Sequence, residues 1–223
     1  LEIEVTVQNQ TAKKAEIQLQ GDIREWMNRA GTDINSAPDP DWTLGNEALS
    51  VAPAKVSVAA GTSQKVTLQV PVGKDVLKYW TPEHPNLYAL LLSVKNQKQT
   101  VDTKYERIGW REWTLQGTTQ CLNGDPYALH GDSWHFMGIP QMTRRYAWAW
   151  FTAIKGMNAN AVRPHAQVYT RFYLDMADEM GICVLNETAN WASDGGPKLD
   201  SDLFWETSKS HLKRFVLRDR NHA

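Results

Sequence analysis

Cysteine is scarce in this chain of 223 residues, occurring only as Cys121 and Cys183. Two thiols cannot build a disulfide scaffold, and they fall short of the ligand number of a structural zinc site. Cys183 lies in the apolar run Gly-Ile-Cys-Val-Leu and reads as a small buried hydrophobe. Long apolar runs are missing as well. None approaches the roughly 18 residues of a membrane span. The first residues, Leu-Glu-Ile-Glu-Val, are neither a basic leader nor an apolar signal segment. They start mid-strand without a Met, so further sequence is expected upstream. The chain reads as soluble, and its parent could be periplasmic, secreted or cytoplasmic. A charge excess is lacking too: Lys+Arg is 24 and Asp+Glu is 25, a net charge of -1. Nucleic-acid binding relies on a basic patch that neutralises phosphates, and anionic membrane surfaces need the same, so both are excluded as partners. No Gly-x-Gly-x-x-Gly follows a strand pattern, which removes the dinucleotide cradle.

What is abundant is tryptophan, ten in all. Flat aromatic surfaces suit sugar rings, but they also fill cores, and composition does not choose between these. Patterning is more informative. Residues 1–7, 14–20, 54–60, 65–72, 87–95 and 100–107 alternate apolar and polar side chains and are joined by short polar connections. A period of two with such connections predicts antiparallel strands packed on one face. Six or seven strands in about 100 residues fit an immunoglobulin-like β-sandwich. Residues 21–50 show no strand pattern and carry Pro38, Pro40 and Gly45. They read as an insertion into the 1–108 domain, with one short helix near 23–29.

After about residue 109 the period changes. Residues 120–122 and 127–131 read as strands around the turn Asn123-Gly124-Asp125-Pro126. The spacing then predicts a helix over 142–155, a strand over 160–163, a helix over 168–180, a strand over 182–185 and a helix over 201–218 capped by Asp200 or Ser201. Apolar strands alternating with amphipathic helices predict a parallel sheet, either open or closed into a barrel. Sites in such folds lie at the C-terminal ends of the strands. Those ends are expected at Asp132, Ser133, Trp134 and His135, at Arg163 and His165, and at Asn186, Glu187 and Trp191. Arg163 sits inside an apolar strand, and a buried guanidinium requires an anionic partner, either Glu187 or a carboxylate outside the chain. A metal reading, in which His130, His135, His165 and Glu187 form a nitrogen and oxygen site, lacks any His-x-His or His-Glu-x-x-His spacing.

Several motifs carry a resemblance. Trp80-Thr-Pro-Glu-His-Pro-Asn-Leu-Tyr88 resembles the W-x-P-x-x-P-x-L-Y signature of glycoside hydrolase family 2, which includes β-galactosidases and β-glucuronidases. Gly109-Trp110-Arg111, Leu122-Asn123-Gly124-Asp125-Pro126, Leu129-His130-Gly131, Asn160-Ala161-Val162-Arg163-Pro164-His165, Asp178-Glu179-Met180-Gly181 and Arg218-Asp219-Arg220-Asn221-His222 resemble further family motifs in the same order. The resemblance implies a mixed fold: an all-β immunoglobulin-like sandwich over 1–108, then the first three β/α units of a TIM (β/α)8 barrel over 109–223. It implies a retaining β-glycosidase acting on terminal β-galactosides or β-glucuronides. His135 and His165 would contact sugar hydroxyls, with Asn186 and Trp191 at the same rim. Arg163 would orient the nucleophilic carboxylate, and Glu187 would lie at the subsite floor. No cofactor is implied, although family members with a metal leave room for a divalent ion such as Mg2+ at Glu187. His130 stands where Arg is usual, and Asn186 where Asp is.

Retaining glycosidases use two carboxylates. The resemblance implies that both are Glu on the fourth and seventh barrel strands, beyond Ala223. The chain is therefore expected to be an inactive piece of a longer enzyme. Its partners would be carbohydrate and the rest of the parent polypeptide, with a homo-oligomer open. The alternative is a non-catalytic carbohydrate-binding or scaffold module.

Overall fold

The computed structural model describes residues 1–29, 41–135, 138–188, 190 and 199–223. It divides into two compact units. The first comprises Leu1–Arg29, Trp42–Lys78 and Leu87–Ile108; Tyr79–Asn86 and Gly109–Ala223 belong to the second.

In the first unit, β1 (Glu2–Gln8) pairs antiparallel with β4 (Ser63–Gln69). A second sheet has the order β3-β2-β5-β6, with β2 Ala15–Asn28, β3 Trp42–Val58, β5 Leu87–Asn96 and β6 Gln99–Gly109. Alternation decides which side chains meet. Leu19, Val56 and Val58 point from the larger sheet onto Val7 and Val66 of the smaller one, giving two layers with an apolar filling. Buried Asn9 ties the loops at one end. Its Nδ2 donates to the carbonyls of Lys13 (2.8 Å) and Val58 (3.0 Å), and its Oδ1 accepts from the Thr11 N–H (3.0 Å).

Residues 21–50 depart from the sequence expectation. No helix forms near 23–29. β2 continues through Asn28, and β3 begins at Trp42. The β2–β3 ladder shifts register between Leu19 and Gly21, between Ile23 and Arg24, and between Arg24 and Trp26. Each irregularity breaks the alternation in the sequence. Pairing with β5 on the other side, from Gln18↔Lys95 to Trp26↔Leu87, then outweighs any local helical preference. Pro38 and Pro40, which mark the expected insertion, lie outside the described residues.

The second unit holds a small antiparallel sheet of β7 (Trp113–Gln116), β8 (Thr119–Leu122) and β9 (Asp125–Pro126). It also holds a parallel sheet of β10 (Gly131–Trp134), β11 (Ala161–Pro164) and β12 (Cys183–Val184). Helix α1 (Arg144–Gly156) is capped by Thr143, whose side chain accepts from the Tyr146 N–H. Helix α2 (Arg171–Met180) ends at Gly181, left-handed at φ 69°, where a side chain would be strained. Phe151 and Ile154 of α1 and Tyr173 and Met176 of α2 pack with Trp134, Val162 and Ile182. Helix α3 (Asp202–Asp219) is capped by Ser201 and buries no residue fully.

Two further expectations fail here. Residues 127–130 are not strand; β10 starts at Gly131. The Asn160 side chain captures the segment instead, accepting from the His130 N–H (2.8 Å) and donating to the Ala128 carbonyl (3.0 Å). Asp132, Ser133 and Trp134 are therefore inside the strand rather than beyond it. Trp134 is a core side chain, only 7% exposed. Helix α2 starts three residues later than its apolar pattern suggests, because Tyr169 is drawn into the aromatic core before the turn begins.

Candidate functional site

The C-terminal ends of β10, β11 and β12 converge. His135 follows β10 and His165 follows β11, with imidazole centroids 4.2 Å apart at 44°. The His165 N–H donates to the Trp134 carbonyl (2.9 Å), which fixes the start of that loop. Glu187, just past β12, forms an ion pair with Nε of Arg163. Its second oxygen accepts from the Ala166 N–H (2.7 Å). Ala166 has a φ of +52°, sparsely populated for a residue with a Cβ, so this hydrogen bond helps hold a strained loop. The guanidinium and the Ala166 amide both favour the ionised form, and Glu187 sits below the usual carboxylate range.

Arg163 does meet a carboxylate, but not for the reason the sequence suggested. It is 44% exposed and Glu187 is 29% exposed. The β11 pleat turns Arg163 away from the core, between buried Val162 and Pro164. Asn186 faces backwards: its Oδ1 accepts from the Tyr169 N–H, and its Nδ2 donates to Asp219, both at 3.3 Å. It braces the loop before α2 against the end of α3. Trp191 lies outside the described residues.

The four-residue metal set does not assemble. His130 precedes β10 while His135 follows it, which separates them by roughly 16 Å of extended chain. Glu187 is a poor host for a divalent ion, since a guanidinium and an amide already engage its two oxygens.

A second polar cluster was not foreseen. Asp178, 3% exposed on α2, takes the His222 Nδ1 at 2.7 Å on one oxygen and the Ala223 N–H at 2.9 Å on the other. Its carbonyl accepts from the Trp80 indole N–H (2.9 Å). Arg111 donates to the His222 carbonyl (3.1 Å); burial depresses its pKa, and the charge of Asp178 opposes this. Asp175, Asp178 and His222 are the one group of potential metal ligands close enough together among the described residues. The hydrogen bonds of Asp178 and His222 give these two structural work. Trp80, Arg111, Asp178 and His222 come from four of the motifs quoted above, so motif residues meet at this clamp as well as at the rim, where Arg163 and His165 lie. Charge and aromaticity far apart in sequence were the only available signal, and they give no partner.

A family model described as "Glycosyl hydrolases family 2" matches residues 1–111. A beta-galactosidase from Pseudoalteromonas haloplanktis is 31% identical over 160 residues, 66% of this chain and 15% of that protein. The solved structure of Bacteroides uniformis beta-glucuronidase 2, covalently bound to cyclophellitol-6-carboxylate aziridine, superposes with a TM-score of 0.76 at 22% identity, covering 99% of this chain and 24% of that one. A GH2 beta-galacturonidase from Eisenbergiella tayi bound to galacturonate gives 0.74 at 18%, covering 99% and 36%. The chain thus spans about a third or less of each of these relatives. On the sequence matches, the fold they share and the ordered motifs, this chain belongs to glycoside hydrolase family 2.

Proposed function

We propose that this chain is the immunoglobulin-like sandwich and first three β/α units of a barrel in a retaining β-glycosidase that hydrolyses terminal β-galactosides or β-glucuronides. The observation that carries the reading is the rim: three successive parallel strands bring His135, Arg163 with His165, and Glu187 together.

The chemistry needs an acid to protonate the leaving oxygen and a nucleophile about 5 Å from it, on the other side of the anomeric carbon. Glu187 is unsuited to the acid role, because Arg163 and the Ala166 amide keep it ionised. Its task is to anchor Arg163. The fork of Arg163 has donors beyond the Nε used by Glu187, and these can fix a second carboxylate, the nucleophile, supplied by residues outside 1–223. A neutral imidazole offers one donor and one acceptor, so His135 and His165 together can bind two neighbouring sugar hydroxyls. Ser133, 3.5 Å from Arg163, steadies the guanidinium from β10.

The test has two arms. The 223-residue chain alone is expected to turn over none of nitrophenyl β-galactoside, β-glucuronide or β-glucoside, while the full-length parent hydrolyses at least one. Turnover by the isolated chain that survives repurification and is abolished by Glu187→Gln would make Glu187 a catalytic carboxylate and overturn the assignment.

A further inference from the structure

We propose that the outward face of the β2–β5–β6 ladder holds a second saccharide site, which takes one neutral pyranose ring against Tyr105. The proposal goes beyond the rim and rests on the first unit alone.

A groove of about 360 Å³ opens there, at the small end of ligand-sized clefts. Pairing and alternation put Gln20 and Asp22 of β2, Leu91 and Ser93 of β5, and Thr103 and Tyr105 of β6 along it. This is the face opposite Leu19, Ile23 and Leu90, which point into the unit. Gly21 lets the backbones close up beneath it, since a Cβ there would collide with the Leu91 carbonyl.

Three features select the ligand. Tyr105 is 53% exposed, so much of its ring is open to a ligand. It is also held in place: Trp42 lies 5.8 Å away and Trp26 6.3 Å, these two stack on each other at 4.2 Å, and Arg107 covers Trp26 at 5.2 Å. Such a ring is pre-organised for another flat partner. Beside it stand an amide, a carboxylate and two hydroxyls, which together give the mixed donors and acceptors that ring hydroxyls need. Finally, Asp22 is paired with Arg24 at 3.1 Å, Arg24 reaches Glu47 at 3.8 Å, and Lys104 also lines the groove, so two acidic and two basic groups offset one another and favour a neutral ligand over an ion. An apolar ring face on Tyr105 and Leu91, with hydroxyls along the polar row, satisfies all three.

Saturation-transfer NMR on the 223-residue chain tests this, with methyl β-galactopyranoside and methyl β-glucopyranoside as probes and sorbitol as an acyclic polyol control. At least one pyranoside is expected to receive saturation and sorbitol none. Tyr105→Ala should weaken binding about tenfold, the scale of one lost ring contact, while Tyr105→Phe should keep it within about threefold. A thermal transition shared with wild type shows that the variants fold. Arg163→Ala separates the two sites: binding that survives it and falls with Tyr105→Ala places the sugar on the sheet. Binding lost with Arg163→Ala but not with Tyr105→Ala assigns the sugar to the rim and overturns the proposal. Silence from both pyranosides overturns it too, as does a dimer that Tyr105→Ala dissociates, which would make the face a protein interface.

Discussion

Two acid–base pairs in the second unit have nearly the same chemistry and opposite surroundings. Arg163 and Glu187 meet at 44% and 29% exposure, while His222 and Asp178 meet at 13% and 4%. Water screens the first pair and can release either partner, so it contributes little to folding and its groups stay available to a ligand. The second pair has no such freedom. Its hydrogen bonds must be made within the protein, and each one lost leaves a buried orphan. Burial, more than the identity of the residues, separates the proposed site from a brace.

The comparison breaks most easily at Asp178. Replacing it with Ala strands the Ala223 amide, removes the partner of a His222 ring whose Nε2 has none among the described residues, and leaves the buried Arg111 without its nearby opposite charge. Removing one member of such a pair costs about 3–5 kcal/mol. Urea unfolding should show a loss of that size for Asp178→Ala, against less than about 1 kcal/mol for Glu187→Gln at the exposed pair. Equal losses would erase the distinction.

The reverse experiment concerns Arg163. Arg163→Lys keeps the charge and loses the planar fork. In the full-length parent, turnover should fall roughly a hundredfold, the cost of a misplaced catalytic group, while the unfolding midpoint stays put. Near-normal kcat would reduce Arg163 to a partner of Glu187 and nothing more.

A gentler cut at the brace is Trp80→Phe. It keeps an aromatic ring at a fully buried position, removes the indole N–H that reaches the Asp178 carbonyl, and leaves a small cavity because Phe is the smaller ring. The expected cost is about 2 kcal/mol, the net worth of one hydrogen bond plus the cavity, read from chemical denaturation. A loss under about 1 kcal/mol would mean that neither the bond nor the ring volume holds the 79–86 segment.

Which of these features could be read from the sequence depends on whether their partners lie close along the chain. Strands such as 65–72 and 87–95 announce themselves because alternation is local, and the cap Ser201 acts within three residues. The bulged half of β2 hid because irregular pairing destroys the period that would reveal it. Trp134 was placed one strand-length wrong, since the capture of 127–130 by Asn160 is a contact across 30 residues. His135, His165 and Glu187 were found because parallel β/α order dictates where strand ends go. The partnership of Asp178 with His222 spans 44 residues and follows no period, so only the structure exposes it. Arg163 is the instructive mixed case: its carboxylate partner was inferred, yet from a burial that the pleat of β11 does not provide.

The smallest expected effect is the pH signature of the exposed pair, and its sign is definite. Glu187 is held below the usual carboxylate range, first by the hydrogen bond from Arg163 and then by the Ala166 amide. A carboxyl that is more acidic when folded than when unfolded adds stability that is fully present above its unfolded pKa. That stability is lost as pH falls through the lower folded value. Glu187→Gln removes this term. The stability difference between wild type and variant should therefore be flat near neutrality and shrink only at acidic pH, and it should also shrink in high salt, which screens exposed charges. Its plateau should stay under about 1 kcal/mol because water reaches both partners. A difference that holds its value down to the acid limit, in low salt and high, would mean that Glu187 supports the Ala166 turn through neutral hydrogen bonding alone, and that the guanidinium beside it contributes no charge stabilisation at all.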